Sequence, residues 1–170
     1  QSKLDAIRYV CIIGKDFIYA GIDDNYAENI ETYGYGDGNT YTLTFFDKTK
    51  NEYSYGECKS LSFLSRLKNL VGFGILYNKI SDIKTLNQLT NLECVDLCNN
   101  KISDISALSN LTNLTTLNLD SNKISDISAL SNLTNLTSLN LYVNQISDIS
   151  VLSNLTNLTS LYLCGNQKID

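Results

Sequence analysis

The 170-residue sequence contains no proline, methionine, tryptophan or histidine. The lack of histidine excludes Ser-His-Asp and Cys-His catalytic groups, and it also excludes zinc or iron sites with histidine ligands. Basic side chains are few: the sequence has 13 lysines and arginines and 18 aspartates and glutamates, which gives a net charge of -5. A chain of this charge offers no positive surface to a phosphate backbone, so we do not expect nucleic acid as a partner.

Long hydrophobic runs are absent as well. From residue 61 onward, asparagine, serine and threonine regularly interrupt the apolar positions, and no run approaches the roughly 20 residues of a membrane-spanning helix. We therefore expect no membrane insertion. The first residue is Gln1, which is typical of a mature chain after removal of a signal peptide and also of a shortened chain. The sequence leaves both alternatives open.

What the sequence does contain is a repeat of 22 residues. Rows that start at Leu67, Leu89, Leu111, Leu133 and Leu155 align without a gap until the last few residues. Each row reads L-x-x-L-x-x-L-x-L-x-x-N-x-I-x-D-I-x-x-L. The alternation L-x-L predicts a half-buried strand, and I-x-D-I-x-x-L returns apolar groups at near-helical spacing. One row cannot bury these groups alone, so we predict that the rows stack into a solenoid with parallel strands.

The rows resemble the internalin-like bacterial leucine-rich repeats, in which N-x-I-x-D-I-x-x-L is followed by L-T-N-L at the same period. The similarity covers residues 67–170. It implies an α/β fold, namely a right-handed horseshoe solenoid with a parallel concave sheet. It also implies a secreted or cell-surface bacterial protein that recognises other proteins, for example in adhesion. Related repeats occur in a cytosolic phosphatase regulator, so a cytoplasmic regulatory subunit stays open as an alternative.

The first third of the chain differs in composition, because eight of the 11 tyrosines lie in the first 55 residues. The apolar positions at residues 10–12 and 17–19 predict a pair of strands, and residues 41–55 predict a second hairpin. The first coil of a solenoid needs a cover. We therefore predict a β-rich N-terminal cap over residues 1–50.

A degenerate row precedes the regular ones. Leu61 and Leu64 are in register with Ile83 and Leu86 of the next row. This register indicates that the repeats extend over residues 51–170, with a transitional first row.

Two polar residues recur once in each row. The inward asparagine is expected to satisfy backbone groups where the chain leaves the strand, and it occurs as Asn78, Asn100, Asn122, Asn144 and Asn166. The aspartate is expected to cap a short helical turn on the convex side, and it occurs as Asp82, Asp104, Asp126 and Asp148. We interpret both series as structural.

The concave face of the sheet is the surface that we expect to carry function, because residues that alternate with inward leucines point to the opposite side. Tyrosines are common anchors of protein interfaces, and aspartates at two positions add negative charge. The predicted contact set consists of Leu76, Tyr77, Asp96, Asn118, Asp120, Asn140, Tyr142 and Tyr162. We predict that it binds a protein with a basic or mixed surface, without a metal or cofactor. The alternative is a spacer in a larger surface protein.

An enzymatic function is not expected. Asp96 and Asp120 are predicted to lie diagonally on neighbouring strands, about 8 Å apart, which falls in the range of inverting glycosidase carboxylates. The sequence indicates no cleft, no environment that raises a carboxyl pKa and no second catalytic group, so the distance alone does not indicate catalysis.

The five cysteines predict free thiols rather than a disulfide framework. Cys94, Cys98 and Cys164 are too far apart along the strand or across the coils to be joined, and we expect all three to be exposed. Cys58 has Cys11 as its candidate partner, and the sequence does not decide whether the two are bonded.

Overall fold

The computed structural model describes residues 9–13, 17–21 and 60–167. Within these ranges, seven strands form one sheet in the order β2-β1-β3-β4-β5-β6-β7. The strands are β1 (Tyr9–Ile13), β2 (Phe17–Gly21), β3 (Gly72–Leu76), β4 (Cys94–Asp96), β5 (Thr116–Asn118), β6 (Ser138–Asn140) and β7 (Ser160–Tyr162). Strands β3 to β7 pair in parallel, with residues 22 apart opposite each other. The parallel sheet predicted from the repeat is confirmed.

Short 3-10 helices form the convex return of each coil. They are Ser62–Arg66, Lys84–Gln88, Ser106–Leu108, Ser128–Leu130 and Ser150–Asn154. The i to i+3 hydrogen bond from the N–H of Leu108 to the carbonyl of Ile105 measures 2.9 Å, and it closes the tight turn that 3-10 geometry favours in short pieces. None of the helices in the described ranges has the length and apolar content to span a membrane.

The leucines and isoleucines of the repeat build one continuous core between the sheet and the 3-10 helices. Leu117 and Leu119 are 1% and 0% exposed, respectively, as the L-x-L alternation predicts. Leu61 and Leu64 of the degenerate row also lie in this core, at 2% and 0% exposure. At the other edge of the sheet, Leu161 is 41% exposed, because β7 has a neighbouring strand on one side only.

The N-terminal strand pair is present as β1 and β2. These strands are antiparallel, with Val10 opposite Ala20, and β1 pairs in parallel with β3. The prediction of two strands around residues 10–12 and 17–19 is therefore confirmed. The second predicted hairpin at residues 41–55 and the start of the repeats near residue 51 lie outside the described residues, as does Cys58.

The asparagine series connects each coil to the preceding one. Oδ1 of Asn122 accepts a hydrogen bond from the N–H of Ile102 at 3.0 Å. Its Nδ2 donates to the carbonyl oxygens of Leu97, Leu119 and Asp120, at 2.9, 3.1 and 3.1 Å. The equivalent amides of the rows on either side make the same set of bonds. The predicted role of the inward amide is confirmed.

The aspartate series stabilises the first turn of the 3-10 helices. Oδ1 of Asp104 accepts the backbone N–H of Ser106 at 2.9 Å, and the same bond recurs in the neighbouring rows. The N-cap residue itself is an isoleucine without a capping hydrogen bond, and each aspartate lies one residue before it. The aspartates therefore stabilise the start of the turn, as expected, but from outside the N-cap position. These hydrogen bonds from serine hold the pKa of the Asp104, Asp126 and Asp148 carboxyls below its usual range.

Candidate functional site

Stacking of the coils brings residues of the concave face into three adjacent columns. The central column consists of Gly74, Asp96, Asn118, Asn140 and Tyr162. The exit column, two residues later, consists of Leu76, Cys98, Asp120, Tyr142 and Cys164. The left-handed column follows at once and consists of Tyr77, Asn99, Ser121, Val143 and Gly165. All eight residues of the predicted contact set belong to these columns, so the structure places them in adjacent positions on one side of the sheet.

The exposure of the predicted contact set differs from the expectation at three residues. Leu76 is 1% exposed, Asp96 3% and Asn118 9%. The alternation of the strand identifies the side of the sheet on which a side chain lies, whereas its exposure depends on neighbours in adjacent coils. As placed, these three side chains offer almost no area for contact.

The other members of the predicted contact set are open to solvent to different degrees. Tyr77 is 62% exposed and Tyr142 is 45% exposed. Asp120, Asn140 and Tyr162 are half-buried. The accessible part of the set therefore lies along the exit and left-handed columns more than along the central one.

The central column has a structural role that the sequence interpretation missed. Oδ1 of Asp96 accepts the N–H of Cys98 at 3.0 Å. Asn118 and Asn140 accept the N–H two residues later in the same way, at 3.1 and 2.9 Å. These are Asx turns, and the available signal was an aspartate or asparagine at the same position of three successive rows. The turns fix the path of the chain into the exit column.

Asp96 differs from the two asparagines because its side chain is charged. Among the described residues, its Oδ2 atom has no hydrogen-bond partner. Burial away from water raises the pKa of the Asp96 carboxyl to about 6. The hydrogen bond from the Cys98 N–H and the polar side chain of Asn118 oppose this increase, whereas the charge of Asp120 adds to it. Burial disfavours the ionised form of a carboxyl, so ionised Asp96 destabilises the fold at neutral pH.

Asp120 lies beside Asp96 and is connected to it through Cys98. Oδ2 of Asp120 accepts a hydrogen bond from the Cys98 thiol at 3.6 Å, and Oδ1 accepts the Ser121 hydroxyl at 2.8 Å. The half-buried position leaves the Asp120 carboxylate as the accessible negative charge of the exit column.

The thiols do not share one environment. Cys98 is 8% exposed, so the prediction that it is exposed is wrong. Burial raises the pKa of the Cys98 thiol, and the charges of Asp96 and Asp120 raise it further. Cys94 is half-buried, and burial raises the pKa of its thiol, whereas Cys164 is exposed. Since the thiolate is the reactive form, Cys98 is expected to be inert.

The left-handed column has positive φ at every position. The angles are 53° at Tyr77, 54° at Asn99 and Ser121, 47° at Val143 and 76° at Gly165. Glycine and asparagine adopt this region readily, whereas a β-branched residue there is strained. Val143 is also 41% exposed. The exposed apolar side chain of Val143, next to Tyr142, is therefore held at a cost in stability.

We expect Val143→Asn to raise the free energy of unfolding by about 1 kcal/mol, because asparagine tolerates the left-handed conformation that valine resists. Chemical denaturation of the two proteins measures the difference. Ser121→Asn, at the same position of the preceding row, is the control and should change stability less. A loss of stability in Val143→Asn would contradict the presence of strain.

The described residues offer no site for a metal ion, because they contain no group of three or more cysteine, aspartate or glutamate side chains that could hold one. The concave columns instead combine exposed tyrosine and valine with a carboxylate. Such a surface is suited to contact with another protein.

Comparison with known proteins identifies the repeat. A family model described as "Leucine Rich repeats (2 copies)" matches residues 68–110, 90–132 and 134–170. No curated protein sequence matches the chain. Among solved structures, internalin InlF from Listeria monocytogenes has 46% sequence identity and a TM-score of 0.65, over 66% of this chain and 33% of InlF.

Two further structures show the same arrangement. Internalin InlC2 from Listeria monocytogenes has 37% identity and a TM-score of 0.62, over 66% of this chain and 50% of InlC2. The plant peptide hormone receptor RGFR1, solved in complex with RGF2, has 26% identity and a TM-score of 0.56, over 61% of this chain and 18% of the receptor chain. The chain thus spans about a third of InlF and half of InlC2.

The family match extends over more than half of the chain, and the similarity to internalins lies in the same part of it. The leucine-rich repeats of this family and of these neighbours are non-enzymatic scaffolds for protein interaction, as expected for residues 67–170. The chain belongs to the leucine-rich-repeat family and is an internalin-like protein-protein interaction module.

Proposed function

We propose that this interaction module binds its protein partner through the exit and left-handed columns of the concave face. The observation that carries the proposal is the adjacent pair Tyr142 and Val143, which are 45% and 41% exposed. The neighbouring leucines Leu139 and Leu141 of the same coil are buried in the apolar core. Contiguous exposed apolar side chains commonly mark interaction sites, and tyrosine is a frequent anchor of interfaces.

The electrostatic character of the surface narrows the class of partner. Asp120 adjoins Tyr142 in the exit column, and the three concave columns contain no lysine or arginine. A basic or mixed protein surface is complementary to this arrangement. The complex of RGFR1 with RGF2 is an example of a leucine-rich-repeat neighbour with a bound ligand.

We propose further that the protein is secreted or attached to the surface of a bacterial cell. The 46% and 37% identities with two Listeria internalins support this proposal. Detection of the protein in the surface and culture-medium fractions of the producing cells tests it. Recovery only with the cytoplasmic fraction would favour the regulatory-subunit alternative.

A capture experiment tests the binding surface. Three immobilised baits are compared on extracts of bacterial and animal surface proteins: the unaltered protein, a concave variant and a convex variant. The concave variant carries Asp120→Lys, Tyr142→Ala and Tyr162→Ala. The convex variant carries Gln88→Ala, Asn132→Ala and Asn154→Ala, at exposed positions on the opposite side of the coils. Circular dichroism first establishes that all three baits are folded.

We expect a partner that the unaltered protein and the convex variant retain, and that the concave variant loses by at least roughly tenfold, since loss of interface anchors costs more than about 1.4 kcal/mol. A partner that all three baits bind equally would contradict the concave surface. So would loss of the partner from the convex variant alone.

A further inference from the structure

Asp96 has a negative charge that its structural role does not require. Asn118 and Asn140 make the same Asx hydrogen bond in the two following rows without a charge. At Asp96 the carboxylate is 3% exposed, and Oδ2 has no hydrogen-bond partner among the described residues. A buried charge that no opposite charge balances opposes folding. Residues that break a local rule at a cost in stability are characteristic of functional sites.

The charged group next to Asp96 is also negative, so it does not balance the charge of the Asp96 carboxylate. Cys98 joins two carboxyls, because its N–H donates to Asp96 and its thiol donates to Asp120. On the other side, Asp96 lies opposite Gly74 of β3. Gly74 has no side chain that could form a hydrogen bond with the carboxylate. Among the described residues, the charged group that acts on Asp96 is Asp120. The described part of this face thus holds two neighbouring carboxyls without a basic residue in its columns.

We propose that Asp120, with Asp96 behind it, binds an arginine side chain of the protein partner. The proposal rests on the proposed function of the concave face. Asp120 is the accessible carboxylate and makes the direct contact, whereas the buried Asp96 acts through its charge. A guanidinium group presents five N–H donors in a planar fork, which suits carboxylate recognition better than an ammonium group does. Tyr142, next in the exit column, offers an aromatic face to the same cation.

The protonation state of Asp96 makes this contact dependent on pH. Because the pKa of the Asp96 carboxyl is raised to about 6, a neighbouring guanidinium favours its ionised form and promotes loss of the proton on binding. The other titratable groups that face Asp96 within the described residues are Asp120 and the Cys98 thiol. Binding of an arginine is therefore expected to strengthen as the pH rises from about 5 to about 7.

A peptide titration followed by NMR tests the proposal on the intact chain. The probe is acetyl-Gly-Arg-Leu-Gly-amide, and the control peptide contains citrulline, which has the shape of arginine without its charge. We expect saturable shifts of the Cys98 and Ser121 amide signals with the arginine peptide. The citrulline peptide and the Asp120→Asn variant should each bind at least roughly fivefold more weakly. Asp96→Asn should remove the dependence on pH.

Asp126→Asn is the matched control, because it makes the same change of charge on the convex side and preserves an acceptor for the Ser128 N–H. Equal binding of the two peptides would overturn the proposal, as would equal weakening by Asp126→Asn and Asp120→Asn. The proposal would also be overturned if the arginine peptide gave no saturable shift at concentrations up to roughly 20 mM, because weak but specific contacts are saturated below this concentration. The capture experiment is also run with the single variants Tyr142→Ala and Asp120→Asn. A partner that is lost from Tyr142→Ala and retained by Asp120→Asn would support binding at the concave face and reject the arginine site alone.

Discussion

Asn122→Ala is expected to lower the free energy of unfolding by roughly 3 to 4 kcal/mol, because a buried polar group then loses its partner. The N–H of Ile102 loses the acceptor at 3.0 Å. The carbonyl oxygens of Leu97 and Leu119 each lose an amide donor. Since Asn122 connects its own coil to the preceding one, the effect should extend over both. Urea denaturation followed by circular dichroism measures the change.

Asn110→Ala is the control for this prediction. The Asn110 side chain also makes a hydrogen bond, from Nδ2 to Oδ1 of Asn87 at 2.8 Å, but it is exposed to solvent. Water can replace that bond, so the substitution should cost less than about 0.5 kcal/mol. Equal costs at Asn110 and Asn122 would show that the buried amide does not connect the coils.

Asp96→Asn is expected to stabilise the protein at neutral pH by roughly 3 kcal/mol, because it removes a buried charge and retains the acceptor for the Cys98 N–H. The folded protein holds the Asp96 proton more tightly than the unfolded chain does, since burial raises the pKa from 3.8 to about 6. The contribution of Asp96 to stability is therefore greatest below pH 3.8 and is lost as the pH rises through about 6. The difference between variant and parent should be small at about pH 3.5 and full above about pH 7.

Asp126→Asn provides a control of opposite sign. The hydrogen bond from the Ser128 N–H lowers the pKa of the Asp126 carboxyl, so its contribution to stability is present at neutral pH and is lost as the pH falls. Asp126→Asn should thus be neutral or destabilising at pH values where Asp96→Asn is stabilising. Denaturant titrations across the pH range compare the two. A gain from Asp96→Asn that does not vary with pH would contradict the assignment of a buried, titrating carboxyl.

Much of the fold could be predicted because the same pattern of apolar and polar residues recurs in each row of the repeat. The alternation of Leu117 and Leu119 with polar residues identified the strand and its inward side, and both leucines are buried. The inward amide of Asn122 was assigned to the backbone groups that it does satisfy. These features depend on residues within one coil and on the constant step between coils.

The candidate site was predictable only in part. Period and alternation were enough to assign the eight residues to one face. They did not show that Leu76 and Asp96 are almost fully covered, or that Tyr77 and Val143 have left-handed backbone angles.

By itself, the sequence determined the solenoid, its core and its concave face, because hydrophobic periodicity and turn chemistry act over a few residues and repeat identically. Only the tertiary structure decided which concave side chains are accessible and which charge is buried. Exposure and electrostatics depend on neighbours in adjacent coils, 22 residues away along the chain. At Asp96 those neighbours differ from the ones around Asn118 and Asn140, and the same position of the repeat therefore has a different physical character.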